Sequence, residues 1–350
     1  FGGVQQAYAE SAPLVARPAG YARAKTETDP KFNSFVNYRN VSKHCEQLTD
    51  PDAVGETLRR AFSAARSGRQ RPAVVEFPLD VFDEEVGDVG YESVTAERTA
   101  PDPASVSKAI DVLLDAERPL IYAGQGVHYA KAWDELQELA ELVEAPVATS
   151  LNGKSAFDET HPLSVGAGSK SEPKQLTHFL QEADVIFGVG CSFTTTSYGI
   201  TVPDEPTVIH STLDTTDIDK DVKADYAVVG DAKLTLEQAV AEADNRLDGD
   251  RGRYDDVVAE IESVREEWLD DWRPKLTSDE TPINPYRVVH ELNNVLDKEE
   301  TIVTHDAGNA RDFMASFYEV TEPLSYIGWG KTTQLGYGLG LAIGAKIAHP

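Results

Sequence analysis

The chain has 350 residues, too many for one ordinary domain, and 41% of them are hydrophobic, enough for real cores rather than wholesale disorder. Sixty acidic residues against 32 basic ones give a formal charge of -28, which excludes the basic footprint of a nucleic-acid binder and disfavours anionic membrane surfaces. No run approaches the ~18 apolar residues of a membrane span, and Cys45, Cys191 and the scattered histidines form no metal-like spacing or disulfide scaffold, which fits a reducing cytoplasm.

Three blocks follow along the chain. In the first, residues 1–91, Asp52 to Ser67 reads as an amphipathic helix with Val54, Leu58, Phe62 and Ala65 on one side, and Pro72 to Pro78 as a buried strand. Asp88 to Asp102 is polar, ends in Pro101 and Pro103, and reads as a linker. The second block, residues 103–248, has a βα rhythm. Strands are expected at Leu120–Ala123, Pro146–Leu151, Asp184–Gly190, Thr207–His210 and Tyr226–Val229, with a helix through Trp133, Leu136, Leu139 and Val143. Strands alternating with helices imply a doubly wound parallel sheet. Arg251 to Trp272 is a charged helix with sparse apolar positions, and with Lys275 to Thr281 it reads as a second linker. The third block, residues 282–350, opens on a helix start at Ile283-Asn284-Pro285, has a strand at Thr301–Thr304, and ends in a glycine-punctuated apolar run. The acidity is spread throughout, as expected of a protein adapted to high salt, where self-repulsion is screened.

Three glycine-bearing stretches could carry chemistry. Gly124-Gln125-Gly126 lies between strand and helix, where a nucleotide phosphate could sit or where the chain merely turns tightly. Asp306-Ala307-Gly308-Asn309 also lies between strand and helix, and is either a diphosphate loop or an Asn-Gly-type turn. Gln334-Leu335-Gly336-Tyr337-Gly338 is an odd choice for a core, because glycine costs backbone entropy without filling space; it makes sense where a ligand lies against the backbone.

With these stretches go Ala7 to Leu14, the run from Ala61-Phe62 through Ser67-Gly68-Arg69 to Val81, Arg118 to Gly126, and Asn152-Gly153-Lys154 through His161-Pro162-Leu163. In this order the chain resembles the thiamine-diphosphate enzymes of the acetolactate synthase, benzoylformate decarboxylase and oxalyl-CoA decarboxylase group, and is most similar to acetolactate synthase. The resemblance implies three α/β domains with doubly wound parallel sheets. The first binds the aminopyrimidine, the second is a nucleotide-fold spacer, and the third binds the diphosphate through a metal ion. It also implies truncation at both ends. The family's catalytic glutamate lies upstream of Phe1 and its Mg2+ ligands lie downstream of Pro350, so no catalytic or metal residue is expected in this stretch, and the fragment alone is expected to be inactive.

Carried over residue by residue, Ala307, Gly308, Asn309 and Ala310 match the family's Val-Gly-Gln-His diphosphate loop, with Ala310 where the family has histidine. Leu335 matches the bulky residue that props the bent cofactor, Thr333 and Gln334 fall near the aminopyrimidine, and Phe32 matches a substrate-side aromatic. The middle domain of acetolactate synthases holds FAD with an Ala-Arg-Phe-Asp-Asp-Arg stretch. Here it reads Cys191-Ser192-Phe193-Thr194-Thr195-Thr196, without either arginine or either aspartate, which counts against FAD.

The reaction implied is decarboxylation of a 2-oxo acid and transfer of the remaining carbon unit to a second carbonyl, by a cytoplasmic homodimer or homotetramer. Two alternatives stay open: another decarboxylase or acyltransferase of the same family, and a catalytically inactive nucleotide-binding regulatory protein.

Overall fold

The computed structural model describes residues 1–25, 28, 30–91, 98–332 and 334–350. The chain divides into two compact units, Phe1–Glu97 with Lys331–Gln334, and Arg98–Gly330 with Leu335–Pro350.

In chain order the first unit has α1 (Gly2–Ala9), β1 (Val15–Ala16), β2 (Ala19–Gly20), α2 (Ser34–Tyr38), β3 (His44–Gln47), α3 (Val54–Arg66) and β4 (Ala73–Pro78). The apolar run 73–78 becomes a strand buried along its whole length. Ala73 pairs in parallel with both Val15 and His44, so β1 and β3 lie on opposite edges of β4, and Phe77 pairs with Ala19 of β2. The amphipathic helix is α3, preceded by a short 3-10 turn at Pro51–Ala53 that Asp50 caps through the Asp52 N–H. Ala61 and Ala65 of α3 pack on Val75 and Phe77.

The second unit continues with α4 (Pro103–Asp115), β5 (Pro119–Ala123), α5 (Gln125–Ala130), α6 (Trp133–Val143), β6 (Val147–Ser150), β7 (Ser164–Gly168), α7 (Lys174–Glu182), β8 (Val185–Val189), β9 (Thr207–Thr212), β10 (Tyr226–Val229) and α8 (Ala232–Asp244). Its parallel sheet runs in the order β10-β9-β8-β5-β6-β7, so the doubly wound parallel fold read from the sequence is borne out. Strand order reverses between β5 and β8, which is where such sheets open a crevice. One apolar cluster, with Ile121, Leu136, Leu139 and Leu236, and another, with Leu120, Leu176 and Ile186, build the core. Alternate residues of β5, Leu120 and Ile121, belong to different clusters, as the two-residue period of a strand requires.

The unit goes on through α9 (Tyr254–Leu276), α10 (Pro285–Val295), β11 (Val303–Thr304), α11 (Asn309–Phe317), β12 (Tyr326–Ile327) and α12 (Tyr337–Ala348). The second linker is corrected here. Residues 254–276 form one helix whose few apolar side chains are structural: Ile261 is fully buried against Leu176 and Phe179, and Trp268, Leu269 and Trp272 pack beside Val289, Met314 and Phe317. A narrow stripe sufficed, because large side chains at four-residue spacing share one helix face. The second and third sequence blocks therefore lie in one compact unit. A buried ion pair helps join them. Lys154 Nζ donates to both Glu159 oxygens at 2.5 Å, while Glu159 exchanges backbone N–H···O and Val320 N–H···Oε2 bonds with Val320 at 2.9 and 3.1 Å.

Candidate cofactor-binding site

The candidate site is built at the end of the short strand β11. His305 and Asp306 follow it, then Gly308 turns the chain at φ +79° into α11. A side chain there would meet nothing within 4 Å, so the requirement for glycine is conformational and the space above the loop is open. At the start of α12, Gly336 has φ +85° and the same open surroundings.

Asp306 ties the two glycine turns together. Its carboxylate accepts from the N–H groups of Ala307 at 2.6 Å, Gly336 at 3.1 Å and Gly338 at 3.2 Å. The Ala307 N–H, then those of Gly336 and Gly338, hold this carboxyl below the usual carboxylate range. The Thr304 hydroxyl donates to the Gly338 carbonyl at 3.0 Å. Gly338 has no room for a Cβ, which would lie 2.8 Å from the His305 carbonyl. The outcome is a fixed arch in which the first-turn N–H groups of the nine-residue helix α11 emerge from Gly308. Helix N-terminal N–H groups with open space before them suit an anionic diphosphate, so the residues present fit that part of thiamine diphosphate.

Two neighbours were not singled out from the sequence. His305 is buried, and its Nδ1 lies 3.0 Å from the Asp306 carbonyl. A carbonyl only accepts, so Nδ1 carries the proton and Nε2, which is buried without a partner, does not. Burial pushes the His305 pKa down and keeps the ring neutral. Arg311, buried on the first turn of α11, lies over the rings of Tyr198 at 4.5 Å and Trp329 at 5.0 Å and pairs with Asp312 at 2.5 Å. Its charge is thus matched locally, and it steadies α11. A basic residue directly after the Ala307–Ala310 loop was the available signal; nothing in the sequence marked the aromatic pair.

Of the residues expected at the cofactor, Ala307, Gly308, Asn309, Ala310 and Leu335 lie in the second unit, Leu335 directly before the turn that Asp306 holds. Leu335 is 80% exposed. Gln334 belongs to the first unit, where it packs against Gly2, and Thr333 lies outside the described residues. In that unit the Lys331 and Thr332 N–H groups donate to buried Glu10 at 2.9 and 3.2 Å, and the Thr332 hydroxyl to Gln6 at 2.7 Å. The motif around Tyr8 was legible, but not the role of its buried Glu10. Phe32, 51% exposed, stands edge-on to Tyr38 in the first unit. Among the described residues no group of three or more His, Cys, Asp or Glu could hold a metal.

The crevice between β5 and β8 is closed by packing. A Cβ on Gly124 would lie 2.4 Å from the Cys191 Cα, and one on Gly126 would lie 2.7 Å from the Gly190 Cα. The Gly126 N–H donates to the Gly190 carbonyl at 2.7 Å. Phe193 turns inward, stacks on Tyr122 at 5.8 Å and meets the buried His210 ring at 4.8 Å. Lys220 fastens the loop above, reaching the Ser192 carbonyl, Thr194 and Asp217 at 3.1, 2.8 and 2.9 Å. Close backbone approach accounts for both glycines without a ligand.

A parallel α/β spacer joined to a glycine-arched loop at a helix start defines a cofactor-binding class, and the sequence comparisons identify it. Residues 106–239 match the thiamine pyrophosphate enzyme central domain, and residues 306–350 the thiamine pyrophosphate enzyme C-terminal TPP binding domain. The chain belongs to the thiamine-pyrophosphate-dependent enzyme family, on its acetolactate synthase-like branch. It is similar to the probable acetolactate synthase large subunits of Methanocaldococcus jannaschii (32% identical over 99% of this chain and 60% of that protein) and Methanococcus aeolicus (30%, 99% and 61%). It is also similar to the acetolactate synthase isozyme 3 large subunit of Escherichia coli K12 (30%, 99% and 62%). The chain thus spans about 60% of the length of these curated relatives.

Proposed function

We propose that the protein containing this chain is a thiamine-diphosphate-dependent enzyme that decarboxylates a 2-oxo acid and joins the remaining carbon unit to a second carbonyl, as an acetolactate synthase does. The observation that carries this reading is the Asp306 arch, which holds the Ala307–Ala310 loop and the start of α12 as one open, N–H-lined surface. Bound there, thiamine diphosphate supplies an electron sink for loss of carbon dioxide. The chain's part is to seat the diphosphate on the first turn of α11, through Gly308, Asn309 and Ala310, with Leu335 beneath the cofactor's hinge. Magnesium would supply counter-charge to the diphosphate, and among the described residues no group of three or more His, Cys, Asp or Glu could hold it.

The middle domain does not fit FAD. Phe193 packs into the core against Tyr122 and His210, and the Thr194–Thr196 stretch offers no charged side chain, which counts against FAD. We therefore assign Gly124 and Gly126 to packing. A homodimeric or homotetrameric cytoplasmic enzyme working at high salt completes the proposal, the last part resting on the charge of -28.

The test is to supply full-length protein with thiamine diphosphate, Mg2+ and pyruvate in molar KCl and to assay carbon dioxide and acetolactate together. Both are expected. Carbon dioxide with acetaldehyde would instead indicate a simple decarboxylase, and no turnover would overturn the reading.

A further inference from the structure

Arg311 stands on the first turn of α11, directly beyond the Ala307–Ala310 loop, and is only 3% exposed. It lies over two aromatic rings at once. Its guanidinium carbon is 4.5 Å from the centre of Tyr198 and 5.0 Å from that of Trp329. The two rings meet edge to face, with centroids 5.4 Å apart and planes at 89°. A cation prefers the face of a ring, and the preference grows where water is excluded.

The rings come from separate parts of the second unit. Trp329 follows β12 and is fully buried, whereas half-buried Tyr198 lies in the connection between β8 and β9 of the parallel sheet. That connection is itself held. The Tyr198 N–H donates to the Thr196 hydroxyl at 3.2 Å, and the Thr196 hydroxyl donates to the Gly330 carbonyl at 3.4 Å. Tyr198 is therefore a fixed wall for Arg311.

The stack fixes direction more than it adds charge. Asp312 accepts from Arg311 Nε at 2.7 Å and pairs with Nη2 at 2.5 Å, so the positive charge is matched on the spot. The Arg311 N–H donates back to the Gly308 carbonyl at 3.1 Å, which makes the anchored side chain and the glycine turn one piece. First-turn N–H groups grip an anion well only when their directions are set beforehand. The Asp306 arch sets the strand side of this loop, and the aromatic stack sets its helix side.

We propose that Tyr198 is a positioning residue for the cofactor. Its ring holds Arg311, and through Arg311 it holds the first turn of α11 in the direction that receives the diphosphate. The inference rests on α11 being the diphosphate seat, as proposed above. Tyr198 acts through Arg311 and not on the reacting atoms.

The experiment titrates thiamine diphosphate, with Mg2+ in excess, into full-length wild type, Tyr198→Phe, Tyr198→Leu and Leu236→Ala. It reads the dissociation constant by calorimetry and the melting temperature without cofactor. Leu236→Ala hollows the central apolar cluster and controls for lost stability alone. Tyr198→Leu should weaken the cofactor about tenfold. Tyr198→Phe keeps the ring and should bind as wild type does, while Leu236→Ala should melt earlier with affinity unchanged. At saturating cofactor, Tyr198→Leu should turn over within about twofold of wild type, so that the loss falls on the cofactor's apparent KM and not on kcat. Should Tyr198→Leu fail to fold, Arg311→Lys tests the same stack, since it keeps the charge and gives up the flat guanidinium; the same weakening is expected. Unchanged affinity in the variant that tests the stack overturns the positioning role alone. So does an equal loss in Tyr198→Phe, or a loss in Leu236→Ala as large as in that variant. Wild-type protein that takes up no thiamine diphosphate overturns this inference and the functional reading together.

Discussion

The Asp306 carboxylate accepts a hydrogen bond from the Gly336 N–H, at 3.1 Å, across 30 residues of sequence. That bond and its partner at Gly338 fix the Asp306–Gly308 loop to the start of α12. Asp306→Asn replaces an anionic acceptor by a neutral one and should weaken thiamine diphosphate binding by roughly tenfold while leaving the fold intact. The sign of the pH effect follows from the depressed pKa. The folded value lies below the unfolded one, so the anchoring is fully present above ~3.9 and is lost only as pH falls through the lower folded value. Cofactor titration of wild type and variant between pH 5 and pH 8 checks this; a wild-type affinity lost already at pH 5 would point to another group.

Leu335 is 80% exposed, so its truncation removes little packing from this unit. Leu335→Ala in the full-length enzyme should move stability by no more than ~0.5 kcal/mol. Turnover should nevertheless fall by up to ~10²-fold, since misplacing reacting groups by ~1 Å costs that much. Thermal melts alongside kcat separate the two effects. Early melting with unchanged turnover per folded molecule would assign Leu335 to packing.

Lys154 and Glu159 are both buried, and each loses water that its charge needs; burial pushes Glu159 up and Lys154 down while each holds the other's charge. Lys154→Met strands the Glu159 carboxylate and should cost ~3–5 kcal/mol in urea unfolding. Lys154→Met with Glu159→Gln should recover a large part of that loss. If the single variant is as stable as wild type, the pair does not lock the central block to Val320.

The full-length protein should purify without stoichiometric flavin. The Thr194–Thr196 stretch offers no charged side chain to a flavin nucleotide, and Gly124 and Gly126 are taken up by close packing on Gly190 and Cys191. Flavin absorbance at one per subunit, surviving gel filtration, would refute this.

With a charge of -28, the full-length protein should melt earlier or dissociate in dilute buffer and recover in molar KCl, where the Debye length falls to ~3 Å. Scanning calorimetry across a KCl series tests it, and a melting temperature independent of salt would remove the case for high-salt adaptation.

Strands β5, β6, β8 and β9 were legible because burial on both faces leaves short apolar runs bounded by turns, and the edge strand β10 showed as a short apolar run although its first two residues are exposed. Strand β7 was not, because Ser164-Val165-Gly166-Ala167-Gly168 is built from small residues that fit beneath Ile200 and Pro173 and carry no hydrophobic signature. At the site, the glycine turns at 308 and 336 showed themselves, since positive φ selects glycine. Asp306 stood in plain view in the loop motif, yet its partners at 336 and 338 are long-range and no local pattern announces them. The same holds for Arg311, whose aromatic neighbours come from positions 198 and 329.

Glu10 finds its backbone donors at Lys331 and Thr332, 321 and 322 residues downstream. A chain emerging from the ribosome therefore presents α1 and the β1–β4 sheet long before the peptide that completes them exists. Until residue 332 has been translated, the Glu10 carboxylate lacks its Lys331 and Thr332 N–H donors and Gln6 lacks the Thr332 hydroxyl. The first of the two units is thus completed by residues 321 and 322 positions further along the chain, and closure of so long a loop is a slow step by contact order. Pulse-labelling hydrogen exchange on refolding full-length protein should find the amides of Lys331 and Thr332 protected later than those of β5 and β8.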